Sequence, residues 1–144
     1  MKTAIRFIIS TLLIFLSANA VAENSKNIGN YIVHYNALST ESLPPSVARA
    51  YGITRSTNRG LLNISVLKKG AGFEGVEADI KVNATNLTGQ LRKVDLRKIE
   101  EQNAVYYIGV FSVANEETLD FSIDVATADS KSGNITLRQQ FFTK

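Results

Sequence analysis

Arg49, Arg55 and Arg59 fall within eleven residues, interleaved with Tyr51, Asn58 and Asn63. A planar guanidinium pairs bidentately with carboxylate or phosphate, and nearby amides and a phenol add directional hydrogen bonds. The set therefore suits recognition of a carboxylate, a phosphate or a sugar acid. These six residues are the candidate ligand- or partner-binding set. The plainer reading of the stretch is a solvated loop in which Asn58 and Asn63 only fix the turn around Gly60.

His34 is the one histidine of the chain. As a general base it would need an activated serine and an acid to orient it. Ser39, Ser42, Ser56 and Ser65 are available, yet none lies in a nucleophile-elbow pattern. Tyr31, Val33 and Tyr35 share one strand face, which leaves His34 on the other with Ile32 and Asn36 and reads as a structural histidine. Glu100-Glu101 and Glu116-Glu117 are adjacent pairs at expected turns, where neighbouring side chains diverge, so they do not form the facing carboxylates of a glycosidase. No catalytic residue is assigned, and the chain reads as a non-enzyme.

The chain has no Cys and no Trp, and its one Met is Met1. Soft-metal sites and redox dithiols are thereby excluded, and too few ligand types remain for an ordinary zinc site. A calcium site from Asp120, Asp124 and Asp129 meets Lys131 where the loop Asp129 to Asn134 should offer a ligand. No metal and no cofactor is expected.

The elements that must position these residues follow a period of two. Val76, Ala78, Ile80, Val82 and Ala84 alternate with Glu77, Asp79, Lys81, Asn83 and Thr85, and Leu119, Phe121, Ile123 and Val125 alternate with Asp120, Ser122 and Asp124, the pattern of half-buried strands. Tyr31 to Leu38, Leu61 to Lys68, Leu91 to Glu101, Ala104 to Ala114 and Ile135 to Thr143 are rich in β-branched or aromatic residues and bounded by turn chemistry. Seven strands result. One segment departs from this period: Pro45 suits a first helical position and Gly52 a left-handed residue just past the end, predicting a short helix between them. The expected fold is all-β, a two-sheet antiparallel sandwich of immunoglobulin-like architecture with one short helix after the first strand; a small barrel is the alternative.

The first twenty-two residues read as a cleaved signal peptide. Lys2 and Arg6 form the positive region, Phe7 to Leu16 the apolar region, and Ala18, Ala20 and Ala22 offer two cleavage frames, of which the second leaves Glu23 as the mature start. The apolar run is too short to span a membrane, where roughly 20 residues are needed. The domain division is thus 1–22 signal peptide and 23–144 a single domain, with export to the periplasm expected. Loss of Lys2 and Arg6 reduces the formal net charge of +3 to +1. A balance so close to neutral offers no basic footprint for nucleic acid and no polybasic run for a lipid surface.

The runs Tyr31 to Ala37, Val47 to Ile53, Arg55-Ser56 and Asn58 to Val66, with Tyr106 to Gly109 further on, resemble a family of small exported bacterial proteins known only as a domain of unknown function. The resemblance spans the mature chain and implies a periplasmic β-sandwich with no assigned activity. It departs at Pro44, which has no side-chain oxygen to cap the short helix. Three function classes follow. The first is a non-catalytic periplasmic binding or accessory protein, meeting an anionic small molecule or a periplasmic partner protein through the Arg/Tyr/Asn loop. The second acts by strand addition at an exposed sheet edge. A hydrolase is the third.

Overall fold

The computed structural model describes residues 24–144. The signal peptide expected over 1–22 lies outside the described residues. Ten strands form two antiparallel sheets: β1 (Asn24–Ile28), β2 (Tyr31–Ser39), β3 (Arg59–Lys69), β4 (Phe73–Gly75), β5 (Ala78–Asn86), β6 (Leu91–Arg92), β7 (Arg97–Glu101), β8 (Ala104–Ser112), β9 (Thr118–Thr127) and β10 (Ser132–Gln140). The first sheet has the order β1-β2-β3-β8-β7, with β4 pairing the end of β3, and the second has the order β10-β9-β5-β6. The all-β two-sheet sandwich expected from the alternation is the architecture observed.

The core lies between the inner faces of the two sheets. Val33, Leu62, Ile64, Val66 and Phe111 of the first sheet meet Leu119, Phe121, Ile123, Val125 and Ile135 of the second, all buried. Each such side chain contributes about 1.5–3 kcal/mol of burial energy. The Phe111 ring stands edge-on to Phe121 at 5.2 Å and to Phe141 at 5.5 Å. In a chain without cysteine this core is held by packing alone.

A second, smaller cluster covers part of the outer face of the first sheet. Leu43, Ala48, Ile53, Leu61 and Ile108 form it, with Leu38, Val47, Tyr51, Ile99, Tyr106 and Val110 packed against them. Helix α1 (Pro45–Ala50) supplies Val47 and Ala48. So short a helix is marginal alone and persists through this packing. Its N-cap Pro44 gives no side-chain bond, as the sequence implies, and the Pro44 carbonyl instead accepts from the Val47 and Ala48 N–H groups, each at 3.0 Å. Gly52 closes the helix at φ +64, the left-handed conformation anticipated there.

Two expectations are revised in detail. Among the described residues ten strands form rather than seven, because β1 and β4 add to the count and Leu91 to Glu101 is not one strand. Its ends, β6 and β7, belong to opposite sheets, and residues 93–96 cross between them. Val94 and Leu96 turn inward against Gly109 of β8, where an added Cβ would lie 2.7 Å from Val94 Cγ1 and 3.1 Å from Leu96 Cδ2. Burial of these two side chains diverts the segment from its strand path.

Candidate functional site

The six sequence-derived residues do not meet at one point. Arg49 is exposed on α1 and makes no ion pair or hydrogen bond through its side chain among the described residues. Arg55 is committed to the fold: its guanidinium donates to the Glu41 carbonyl at 2.8 Å. Beside it the buried Thr40 hydroxyl donates to the Ser56 carbonyl and accepts from the Ser56 N–H, both at 3.0 Å. Together these bonds fasten the loop after α1 to the 3-10 turn Thr40–Ser42. Asn58 serves the backbone, its N–H donating to Ser56 Oγ at 3.2 Å and its carbonyl accepting from Val113 N–H at 3.0 Å.

Arg59 is placed differently. It opens β3 opposite Ser112, on the same outer face as Leu61 and Asn63. Its side chain is exposed and forms no hydrogen bond or ion pair among the described residues. It borders a concavity of about 280 Å³ lined by Gly52, Ile53, Thr54, Asp95, Arg97, Ile108 and Val110. The floor is the apolar pair Ile108 and Val110 of β8, and one wall is the loop that leaves α1. The opposite wall is the end of the crossing segment and the start of β7.

Arg97 is the residue that local sequence could not attach to the arginine cluster. It stands at the end of a cross-strand row formed by Asn36, Asn63, Ile108 and Arg97. Its guanidinium donates to the Tyr51 carbonyl, which joins β7 to the C-terminal end of α1. The pKa of the Tyr51 hydroxyl is pushed up to about 12 by burial first and by its hydrogen bond to Glu101 second, so it stays protonated at neutral pH. Tyr51 thus braces the wall through both its backbone and its ring. Asp95 is the one carboxylate among the lining residues, and Lys93 Nζ lies 3.1 Å from it. Two cations against one paired anion leave the concavity net positive.

Asn63 lies in the row that leads to Ile108, and its Oδ1 is enclosed with no hydrogen-bond donor among the described residues. His34 occupies the next row, made by Ser25, His34, Ser65, Tyr106 and Ile99, on the outer face that its strand parity predicts. Ser65 is directly opposite it, and the row contains no carboxylate.

The acidic residues have other duties. Glu100 pairs with Lys98 at 2.9 Å while its neighbour Glu101 serves Tyr51, so the two diverge as expected. Asp120 is held below the usual carboxylate range by the Arg138 guanidinium, which binds it at 2.6 and 2.8 Å through two oxygens. Asp124 accepts from Asn134 at 2.7 Å, and Asp129 from the Thr127 hydroxyl at 2.6 Å. Among the described residues no group of three or more His, Cys, Asp or Glu side chains converges as a metal site would require. A larger hollow of about 510 Å³ lies at the Lys69 to Phe73 turn, but the Lys69 ammonium there is already taken by Asn27 Oδ1 at 2.6 Å.

The architecture recurs in solved structures. The crystal structure of a DUF4426 family protein (PA0388) from Pseudomonas aeruginosa PAO1 is 29% identical, with a TM-score of 0.73 over 88% of this chain and 99% of that one. A copper-bound variant of FetP from uropathogenic Escherichia coli strain F11 is 10% identical, with a TM-score of 0.56 over 85% of this chain and 92% of that one, a likeness of fold alone. No curated protein matches the chain. The sequence pattern of a domain of unknown function, DUF4426, matches residues 25–144, and the chain therefore belongs to that family.

Proposed function

We propose that this protein is an exported, non-catalytic binding module that takes a small carboxylate in the concavity between Arg59 and Arg97. The observation that carries the reading is the Arg59 guanidinium, left without a partner among the described residues at the rim of a hollow whose floor is apolar. Arg55, by contrast, is held by Glu41. A carboxylate would meet Arg59 bidentately and bring a short apolar body onto Ile53, Ile108 and Val110. The apolar floor favours such a ligand over inorganic phosphate, which has no apolar part to bury. Arg97, already oriented by the Tyr51 carbonyl, adds a second positive charge without the cost of ordering a free side chain. The copper of the FetP structure is not carried over to this chain, because at 10% identity the likeness is one of fold alone.

Calorimetric titration with hexanoate and with inorganic phosphate tests the reading. Hexanoate should bind the wild type more tightly than phosphate, and Arg59→Ala should abolish that binding while the fold persists. Equal binding of hexanoate by Arg59→Ala would overturn the assignment. Recovery of the mature protein in the soluble periplasmic fraction, with an intact mass that starts at Glu23, tests the export reading.

A further inference from the structure

Among the described residues, the edge of the second sheet is open along β5. This strand pairs β9 over all of Ala78 to Asn86 but pairs β6 only at Ala84 and Thr85. The Asn86 N–H donates to the Gln90 carbonyl across that edge at 3.0 Å. Backbone groups alternate sides along a strand, so Ala84, Val82, Ile80 and Ala78 direct their N–H and C=O groups the same way. The Ala78 N–H follows this parity by donating to the Tyr107 hydroxyl at 3.0 Å. Among the described residues Ile80 and Val82 therefore present an unfilled ladder, and their side chains are only partly buried. The β10 edge is guarded differently, since Lys26 Nζ donates to the Asn134 carbonyl there at 2.6 Å.

The sequence of this edge is complementary to itself in one register. Ala78, Ile80 and Val82 face the core side, and Asp79, Lys81 and Asn83 face outward and are exposed. In an antiparallel pair about a two-fold axis through Ile80, Ile80 opposes Ile80 of the second copy and Ala78 opposes Val82. Asp79 then opposes Lys81 of the second copy, and Lys81 opposes Asp79. These are non-hydrogen-bonded positions, where facing side chains approach most closely. Neither residue has an ion pair among the described residues. An axis through Asp79 or Lys81 would instead oppose like charges. The second copy's strand ends at Ala78 opposite Val82, whereas Arg92 of β6 stands opposite Ala84, so β6 keeps its place.

We propose that a second copy of this chain pairs antiparallel with β5 about Ile80, joining the two four-stranded sheets into one continuous sheet across a symmetric dimer. Four backbone hydrogen bonds follow from the register: the Ile80 N–H to the Ile80 carbonyl and the Val82 N–H to the Ala78 carbonyl, each in both directions. The edge is short, so the dimer is weak and concentration-dependent. It does not involve Arg59, and its test is independent of ligand binding.

Sedimentation equilibrium of the purified protein decides the matter, with circular dichroism to show that each variant is folded. The wild type should move from monomer to dimer as concentration rises. Asp79→Lys places lysine against lysine twice and should weaken the dimer roughly tenfold or more, from two favourable cross-strand pairs turned repulsive. The double exchange Asp79→Lys with Lys81→Asp restores opposite charges at both positions and should restore the dimer. A wild type that stays monomeric at every accessible concentration would overturn the proposal. So would a dimer indifferent to Asp79→Lys, or one lost equally in the single and double variants.

Discussion

Gly109→Ala tests whether the segment that crosses between the sheets sets the wall of the concavity. An added Cβ would lie 2.7 Å from Val94 Cγ1, 3.1 Å from the Asp95 carbonyl oxygen and 3.1 Å from Leu96 Cδ2. Ordinary carbon contacts are about 3.5–4.0 Å, so the overlap with Val94 approaches 1 Å. A new Val94 rotamer relieves one of the three contacts, while the Asp95 carbonyl yields only if the backbone lifts. Overpacking of this kind costs about 1–3 kcal/mol. In thermal unfolding each kcal/mol should lower Tm by roughly 3–6 °C for a domain of this length. Lifting the segment also moves Asp95 and Arg97, so hexanoate affinity should fall together with Tm. Val94→Ala in the Gly109→Ala background removes the tightest contact and should return part of the stability but not the affinity, because the clash with the carbonyl persists. A folded Gly109→Ala protein with unchanged Tm and unchanged affinity would mean that the crossing segment does not set the wall of the concavity.

Other outcomes follow from the same contacts. Thr40→Val removes a buried hydroxyl that both donates to and accepts from Ser56, and should destabilise by about 1–3 kcal/mol in urea titration, because the Ser56 groups lose their partner. Arg55→Ala releases the Glu41 carbonyl and should cost about 0.5–1.5 kcal/mol while leaving hexanoate affinity unchanged, since the residue fastens the loop and does not line the hollow. Asp120 and Asp129 are both depressed, Asp120 chiefly by Arg138 and Asp129 chiefly by the Thr127 hydroxyl. Their contribution to stability is present above the unfolded aspartate value of 3.8 and is lost as pH falls through the lower folded values. Stability should therefore decline below about pH 4, and Asp120→Asn should flatten that decline in urea titrations at successive pH values.

The sandwich was legible where one face is buried and the other wet. β9 shows this most clearly, with Leu119, Phe121, Ile123 and Val125 all inside. The helix was legible because Pro45 and Gly52 act locally on backbone conformation. β1 was not, since Asn24 to Ile28 is nearly all polar and its pairing depends on β2 as a template. The break between β6 and β7 was equally hidden: Val94 and Leu96 leave the strand path for a space that Gly109 provides from a different strand. The site divided in the same way. Arg59 belongs to the arginine-rich stretch visible in the sequence, but Arg97 and Ile108 reach it only through the register of β3, β8 and β7. Arg55, close to Arg59 in sequence, is set apart from it by the Glu41 carbonyl that holds its guanidinium.

The carboxylate site between Arg59 and Arg97 is tested by following the arginine Nε–H signals and backbone amides by NMR as hexanoate is added to isotope-labelled protein. The Arg59 and Arg97 side-chain signals should shift together, with the amides of Gly52 to Thr54 and Ile108 to Val110, and the Arg55 signal should stay in place. Shifts centred on Arg55 or Arg49, or a spectrum indifferent to hexanoate, would contradict it.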